Sequence, residues 1–233
     1  MIRVIPNAQR FHAEHGWLSA RWHFSFDTYH DPANRNWGPL RVFNDDVVQP
    51  GQGFPPHPHR DMEIVTVVLQ GALEHQDNQG NKGVLRPGDV QVMSAGTGIQ
   101  HSESNHSSTE PLHLLQLWLL PRTERLRPRW DQRKFPASDR RGKLLPVVSS
   151  GDVPGTLPID QEAIIFLASI SSGDTVVHRS VRGRKAYLFV ISGGLKLNGV
   201  ALTAGDQARI ADETELALAA VSESEIIFLD LPD

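Results

Sequence analysis

Apolar residues in this chain fall in short runs rich in β-branched side chains: IVTVVL (64–69), LHLLQLWLL (112–120), AIIFLASI (163–170), AYLFVI (186–191), LALAAV (216–221) and EIIFLDL (225–231). Turn-forming residues separate them: Gly71, DNQGN (77–81), PGD (87–89), SGG (192–194), NG (198–199) and AGD (204–206). Run length and residue type predict strands rather than helices. The pattern lapses from Pro121 to Pro158, a charged, proline-bearing stretch that predicts a linker with one short helix.

The pattern repeats. VTVVLQGALEH (65–75) resembles AYLFVISGGLKL (186–197), each an apolar run broken by glycine. LRPGDVQVM (85–93) resembles LTAGDQARI (202–210), each a Gly-Asp turn before a strand. A duplicated β-module is the economical reading. It predicts an all-β chain of two like modules, at 1–122 and 159–233, with a linker at 123–158.

Composition narrows the classes. At 39 % hydrophobic and 21 % charged residues, the chain can bury a core. A net charge of -4 gives no general attraction to nucleic acid or an anionic membrane. The run RTERLRPRWDQRKFPASDRRGK (122–143) holds nine Arg or Lys against three acids. Without an accompanying nucleic-acid motif it reads as a solvated linker. The first residues, MIRVIPNAQRFHAEHG, hold no unbroken apolar core of signal-peptide length, and no stretch approaches the roughly 18 apolar residues of a membrane helix. There is no cysteine, which excludes disulfides and thiolate metal sites. The expectation is a cytoplasmic, monomeric protein with no nucleic-acid or membrane partner.

Chemistry concentrates in GFPPHPHRDMEI (53–64) and GTGIQHSESN (96–105). Side chains two apart on a strand share a face, so His57 points with His59 and His101 with Glu103. Pro55, Pro56 and Pro58 stiffen the first approach, and Pro58 predicts an edge strand or strand entry. Gly96 and Gly98 permit a sharp turn or close backbone approach before the second pair. Three imidazoles and a carboxylate suit a first-row divalent metal with open positions, whereas closed structural zinc favours cysteine. Glu63 lies at the same parity as its histidines, so parity leaves the choice of acid open. His12, His15, His23 and His30 have irregular spacing and read as surface or packing residues. His75 and His113 lie in strands. His113 and Gln116 are candidates for a pocket wall, and their opposite parity means a regular strand cannot aim both inward.

The spacing Gly51-x5-His57-x-His59-x3-Glu63 matches the first cupin motif, with Gly71 one residue late. Gly98-x2-His101-x3-Asn105 matches the end of the second, with Gly96 where a proline is usual. Together with GWLSARWHFSFDTYHDP (16–32), RVFNDD (41–46), HPHRDMEIVTVVLQG (57–71) and SAGTGIQHSE (94–103), the chain resembles the pirin family, closest to bacterial pirin-like quercetin 2,3-dioxygenases. The resemblance implies a bicupin: two jelly-roll-type barrels, the first holding one metal through His57, His59, His101 and Glu103, with Glu63 as a hydrogen-bonding neighbour. Aligning the two halves puts Arg179, Val181, Leu218 and Ala220 at these positions in the second barrel, with His178 one residue off, so no metal is expected there.

The resemblance also implies a metal-dependent dioxygenase. It would open the central ring of a flavonol such as quercetin with O2 and release carbon monoxide, with Glu103 as the proton acceptor. Its partners are then a small planar aromatic substrate and O2. Iron, as Fe2+, is the expected metal, with manganese, cobalt, nickel, copper and zinc as alternatives. The competing expectation is a metal-binding regulatory or redox-sensing protein that acts through protein partners.

Overall fold

The computed structural model describes residues 1–233, and the chain is built almost wholly of strands. In chain order these are β1 (Ile2–Ile5), β2 (Phe11–Glu14), β3 (Leu18–Trp22), β4 (Leu40–Val48), β5 (Gly53–His59), β6 (Glu63–Gln70), β7 (Leu73–Asp77) and β8 (Lys82–Leu85). Next come β9 (Asp89–Ser94), β10 (Ile99–Asn105), β11 (Leu112–Leu119), β12 (Arg129–Lys134), β13 (Leu145–Ser149), β14 (Leu157–Pro158) and β15 (Ile164–Ile170). The remainder are β16 (Thr175–Arg179), β17 (Lys185–Ser192), β18 (Gly194–Leu197), β19 (Val200–Thr203), β20 (Gln207–Ala211), β21 (Glu215–Ala220) and β22 (Ser224–Leu231). No helix is long and apolar enough to cross a membrane.

The chain divides into two compact units. One comprises residues 11–135 and 157–161; the other comprises 1–10, 136–156 and 162–233. In the first unit a large sheet runs β12-β9-β6-β11-β4-β3-β2 and a small one runs β5-β10-β7-β8. In the second the large sheet runs β1-β20-β17-β22-β15-β13 and the small one β16-β21-β18-β19. The strand order corresponds element by element, with β9-β6-β11-β4 answering to β20-β17-β22-β15 and β5-β10-β7-β8 to β16-β21-β18-β19. The repeat seen in the hydrophobic pattern is therefore a repeat of jelly-roll architecture.

Residues 123–158, expected to link the modules, contribute β12 to the first unit's large sheet and β13 to the second's. Leu145 and Val148 pair with β15, and Trp130 lies opposite Met93 of β9. Proline and charge mask a strand when alternate residues face solvent, as in the exposure pattern of Arg129–Lys134. The first strand of the chain, Ile2–Ile5, pairs antiparallel with β20 of the second unit.

Each core lies between its two sheets. In the first unit Trp22, Val48 and Leu114 of the large sheet pack with Leu73 and Leu85 of the small one. In the second, Leu188 and Phe228 pack with Leu195, Leu216 and Leu218. There His178 is hydrogen-bonded to Asp230 at 2.7 Å. Strand β10 alternates cleanly, with Ile99, His101, Glu103 and Asn105 buried and the residues between them exposed or half-buried. Polar groups on this inward face are what set the first unit apart.

Candidate metal centre

Strand β5 is the edge of its sheet and β10 its neighbour, so Pro58 needs no ladder partner on the far side. The register sets His57 directly opposite His101 and His59 opposite Ile99. Strand parity then brings the three imidazoles together: ring centroids are 4.5 Å apart for His57–His101, 4.9 Å for His57–His59 and 4.9 Å for His59–His101. One ring nitrogen from each lies within 4.8 Å of the others, close enough to hold one metal ion. Glu103, on the same face of β10, is 2 % exposed.

The hydrogen bonds select the nitrogens. His57 Nδ1 donates to the Pro55 carbonyl at 2.8 Å, which leaves the Nε2 lone pair free. His101 Nε2 is buried with no hydrogen-bond partner. Its Nδ1 lies 3.4 Å from His75 Nδ1, and His75 Nε2 lies 3.4 Å from Asp77 Oδ2. An ionised carboxylate only accepts, so His75 donates through Nε2 and accepts at Nδ1, and His101 donates through Nδ1. Both bonds are long and weak; what they settle is ring orientation and tautomer. The result is an available lone pair on His101 Nε2.

Asp77 anchors this chain. Burial alone would raise its carboxyl, but hydrogen bonds from the Asn81 side chain and from the Asn81 and Gln79 backbones outweigh that and hold it below the usual range. The His75 ring is stacked on Trp130, 5.3 Å away at 15°. A second cluster of metal-ligand type, His75, His101 and Glu103, also converges. Both His75 nitrogens are engaged, however, so this group lacks three free donors. The first group, with Glu103 adjoining, has them.

Glu103 is gripped at both oxygens. Gln91 Nε2 donates to Oε1 at 3.2 Å and Gln116 Nε2 to Oε2 at 2.6 Å. Each amide is oriented in turn by an indole N–H: Trp130 donates to Gln91 Oε1 at 2.7 Å and Trp118 to Gln116 Oε1 at 3.1 Å. Only that orientation turns the amide NH2 groups toward the carboxylate. Three imidazole nitrogens, one of them the orphaned His101 Nε2, and a braced carboxylate form a donor set that fits a first-row divalent metal.

The remaining candidate residues separate by position. Glu63 does not join the imidazoles: it is buried and accepts a 2.6 Å bond from Ser94 Oγ. Parity fails there because the chain turns between β5 and β6 with Asp61 at φ 47°. His15, read as surface or packing, is exposed and also lines the cavity beside His57. The other three of that group do pack or face solvent, with His23 stacked on Phe43 at 4.5 Å and His12 and His30 exposed. Gln116 reaches the cavity while His113 pairs with Asp45 at 2.6 Å, the division their parity required. Sequence reasoning missed the roles of His75, Asp77, Gln91, Trp118 and Trp130. A signal existed for the first two, which stand two residues apart on one strand.

Burial, then the neighbouring His101 and His57, lowers the His59 pKa to about 4, with Glu103 opposing. Burial, then His57 and His75, lowers that of His101 to about 3. These rings are therefore neutral, and able to ligate, well below pH 6.5. In the unfolded chain they take up protons near pH 6.5, so protonation favours unfolding. Metal-free protein should lose thermal stability as pH falls from about 6.5 toward 4, with little change between pH 7 and 8 from this source. Calorimetric scans across that range check it; a midpoint that rises on acidification would contradict the assignment.

Of the clustered donors, His57 and Glu103 line a cavity of about 550 Å³. Trp17, Trp22, Phe26, Phe54 and Trp118 form its walls, and Asn44, Asp46, His57, Glu103 and Gln116 its polar side. The rings brace one another edge to face: Trp17–Phe54 at 5.1 Å, Trp22–Phe26 at 5.3 Å and Phe26–Trp118 at 5.3 Å.

Comparison with known proteins agrees with this architecture. The Pirin family model matches residues 4–119, and the model described as quercetinase C-terminal cupin domain matches 146–231. A pirin-like protein of Caulobacter vibrioides is 45 % identical over 94 % of each chain. A quercetin 2,3-dioxygenase of Escherichia coli K12 is 44 % identical, covering 100 % of this chain and 99 % of its own. The crystal structure of a bacterial pirin from Escherichia coli in complex with nickel(II) superposes with a TM-score of 0.95 at 42 % identity, covering 100 % of this chain and 99 % of that one. The chain belongs to the pirin family.

Proposed function

We propose that this protein is a metal-dependent dioxygenase that opens the central ring of a flavonol such as quercetin with O2 and releases carbon monoxide. His57, His59, His101 and Glu103 hold one divalent transition metal, with iron the first candidate on cytosolic availability. The observation that carries the reading is an open nitrogen-and-oxygen donor set at the wall of a cavity sided by aromatic rings. A cavity of about 550 Å³ suits a small planar molecule. The name carried by relatives supports the substrate class.

A divalent metal bound there supplies Lewis acidity, which makes a coordinated hydroxyl more acidic. Glu103 takes the proton of the flavonol 3-hydroxyl on a carboxylate oxygen, while Gln91 and Gln116 hold the carboxylate in place. The braced aromatic walls keep the flat ring system in one orientation and exclude water from it. Both atoms of O2 enter the product and one ring carbon leaves as carbon monoxide, so no external reductant is required. The test is to incubate metal-loaded protein with quercetin and O2 and follow loss of the flavonol absorbance together with carbon monoxide release. Absence of turnover with iron, manganese, cobalt, nickel and copper alike would overturn the proposal.

A further inference from the structure

Asp46 is a carboxylic acid that the chemistry above leaves unused. It lies on β4 two residues from Asn44, and both line the cavity. It is 4 % exposed, and its Oδ1 has no hydrogen-bond partner. Its cross-strand neighbours, Ala20 on β3 and Leu114 on β11, are buried and apolar, so neither flanking strand supplies a donor at that level. Burial, then the charges of Asp45 and Glu103, pushes its carboxyl well above the usual range. A buried polar atom without a partner is costly, and a packing role alone is better served by an apolar side chain.

The rest of the lining shows what would satisfy it. The cavity has three acids, Asp27, Asp46 and Glu103, and no lysine or arginine. Apart from the metal, such a lining offers no cation to an anionic ligand and presents acceptors to hydrogen-bond donors, while its indole walls favour a flat ring. We propose that Asp46 is the specificity-determining residue of this cavity: its unpartnered oxygen accepts a hydrogen bond from a hydroxyl of a neutral, planar, polyhydroxylated ligand. The inference rests on the reading of the cavity as a flavonol site. It adds that recognition depends on a hydroxyl met by protein alone.

Binding can be read without turnover by titrating quercetin anaerobically into metal-loaded protein and following quenching of the cavity tryptophans. Asp46→Leu should weaken binding about 10- to 100-fold, the range for a hydrogen bond to a buried acid. Its thermal midpoint should equal or exceed that of the wild type, because an orphaned polar group has gone. Asp46→Asn, which keeps the shape and one acceptor oxygen, guards against misfolding and should fall between the two. Among flavonols that each lack one hydroxyl, one should bind the wild type as weakly as quercetin binds Asp46→Leu, and lose nothing further in that variant. Quercetin binding to both variants within twofold of wild type would overturn the role of Asp46. Binding that depends on Asp46, without turnover under O2, would overturn the dioxygenase reading and leave this inference standing. No flavonol binding to the wild type would overturn both.

Discussion

Replacing His57 and His101 together with alanine should yield a folded protein that retains no metal after dialysis, where the wild type retains about one ion per chain. The two residues face each other across β5 and β10, so the double change removes opposite walls of the donor set. A four-ligand site of apparent free energy about 10–16 kcal/mol spreads roughly 3 kcal/mol over each ligand, so losing two weakens binding by roughly 10⁴-fold or more. His59 and Glu103 remain, too few to hold the ion. Metal at a thousand times its dissociation constant stabilises by about 4 kcal/mol. Added metal should therefore raise the wild-type thermal midpoint by roughly 10 °C and leave the variant's unchanged. The fold itself should survive, since the change removes a buried nitrogen without a partner. His75→Phe supplies a graded comparison. It preserves a ring against Trp130 but removes the acceptor for His101 Nδ1–H, and should weaken metal binding by about 10- to 100-fold. Elemental analysis and chelator competition measure both variants. Full metal content in the double variant would show that the ion sits elsewhere.

How far the site could be read from sequence follows from the range over which strand parity holds. His57 with His59, and His101 with Glu103, are two apart within unbroken strands, and parity placed each pair correctly. Glu63 had the same parity with its histidines, yet the left-handed turn at Asp61 lies between, so counting across it had no meaning. His75 and Asp77 obeyed the rule but lacked the prolines and glycines that drew attention to the other pairs. Their importance comes from β7 lying beside β10, with His75 opposite Glu103, a pairing that no local pattern encodes. Gln91 and Gln116 are plainer still. An amide in a strand looks like any polar residue until an indole fixes which end meets the carboxylate, from another strand for Gln91 and from two residues along the same strand for Gln116. Asp46 shows the same limit, since only the inward face of β4 distinguishes it from Asp45, which pairs with His113. The fold was more legible than the site, because a duplicated apolar pattern with regular turns constrains architecture over a whole module.

The departure at Gly96 from the usual cupin proline can be tested, and here too the expected effect is large. Gly96 has φ 47°, the left-handed region that proline cannot adopt and that other residues adopt at a cost of about 1–2 kcal/mol. A Cβ at this position would also overlap the backbone carbonyl oxygen of Leu126. That oxygen cannot readily withdraw, because it accepts the Thr97 N–H at 2.8 Å. The Gly96 carbonyl in turn accepts the Asp61 N–H at 3.0 Å, which ties this turn to the one between β5 and β6. Gly96→Ala should therefore cost about 3–5 kcal/mol, combining conformational strain with displacement of the Leu126 backbone, and lower the thermal midpoint by roughly 10 °C. Gly80→Ala separates the two causes. Gly80 has φ 90° but nothing within 4 Å of its would-be Cβ, so only the conformational cost of about 1 kcal/mol applies. Because the turn at Gly96 launches β10, shifting it moves His101 and Glu103 relative to His57. Metal affinity should fall with stability in Gly96→Ala, and should change far less in Gly80→Ala. Equal losses of stability in the two variants would show that the Leu126 carbonyl yields freely. The substitution would then be explained by backbone conformation alone, and the turn would not be what sets the spacing of the imidazoles.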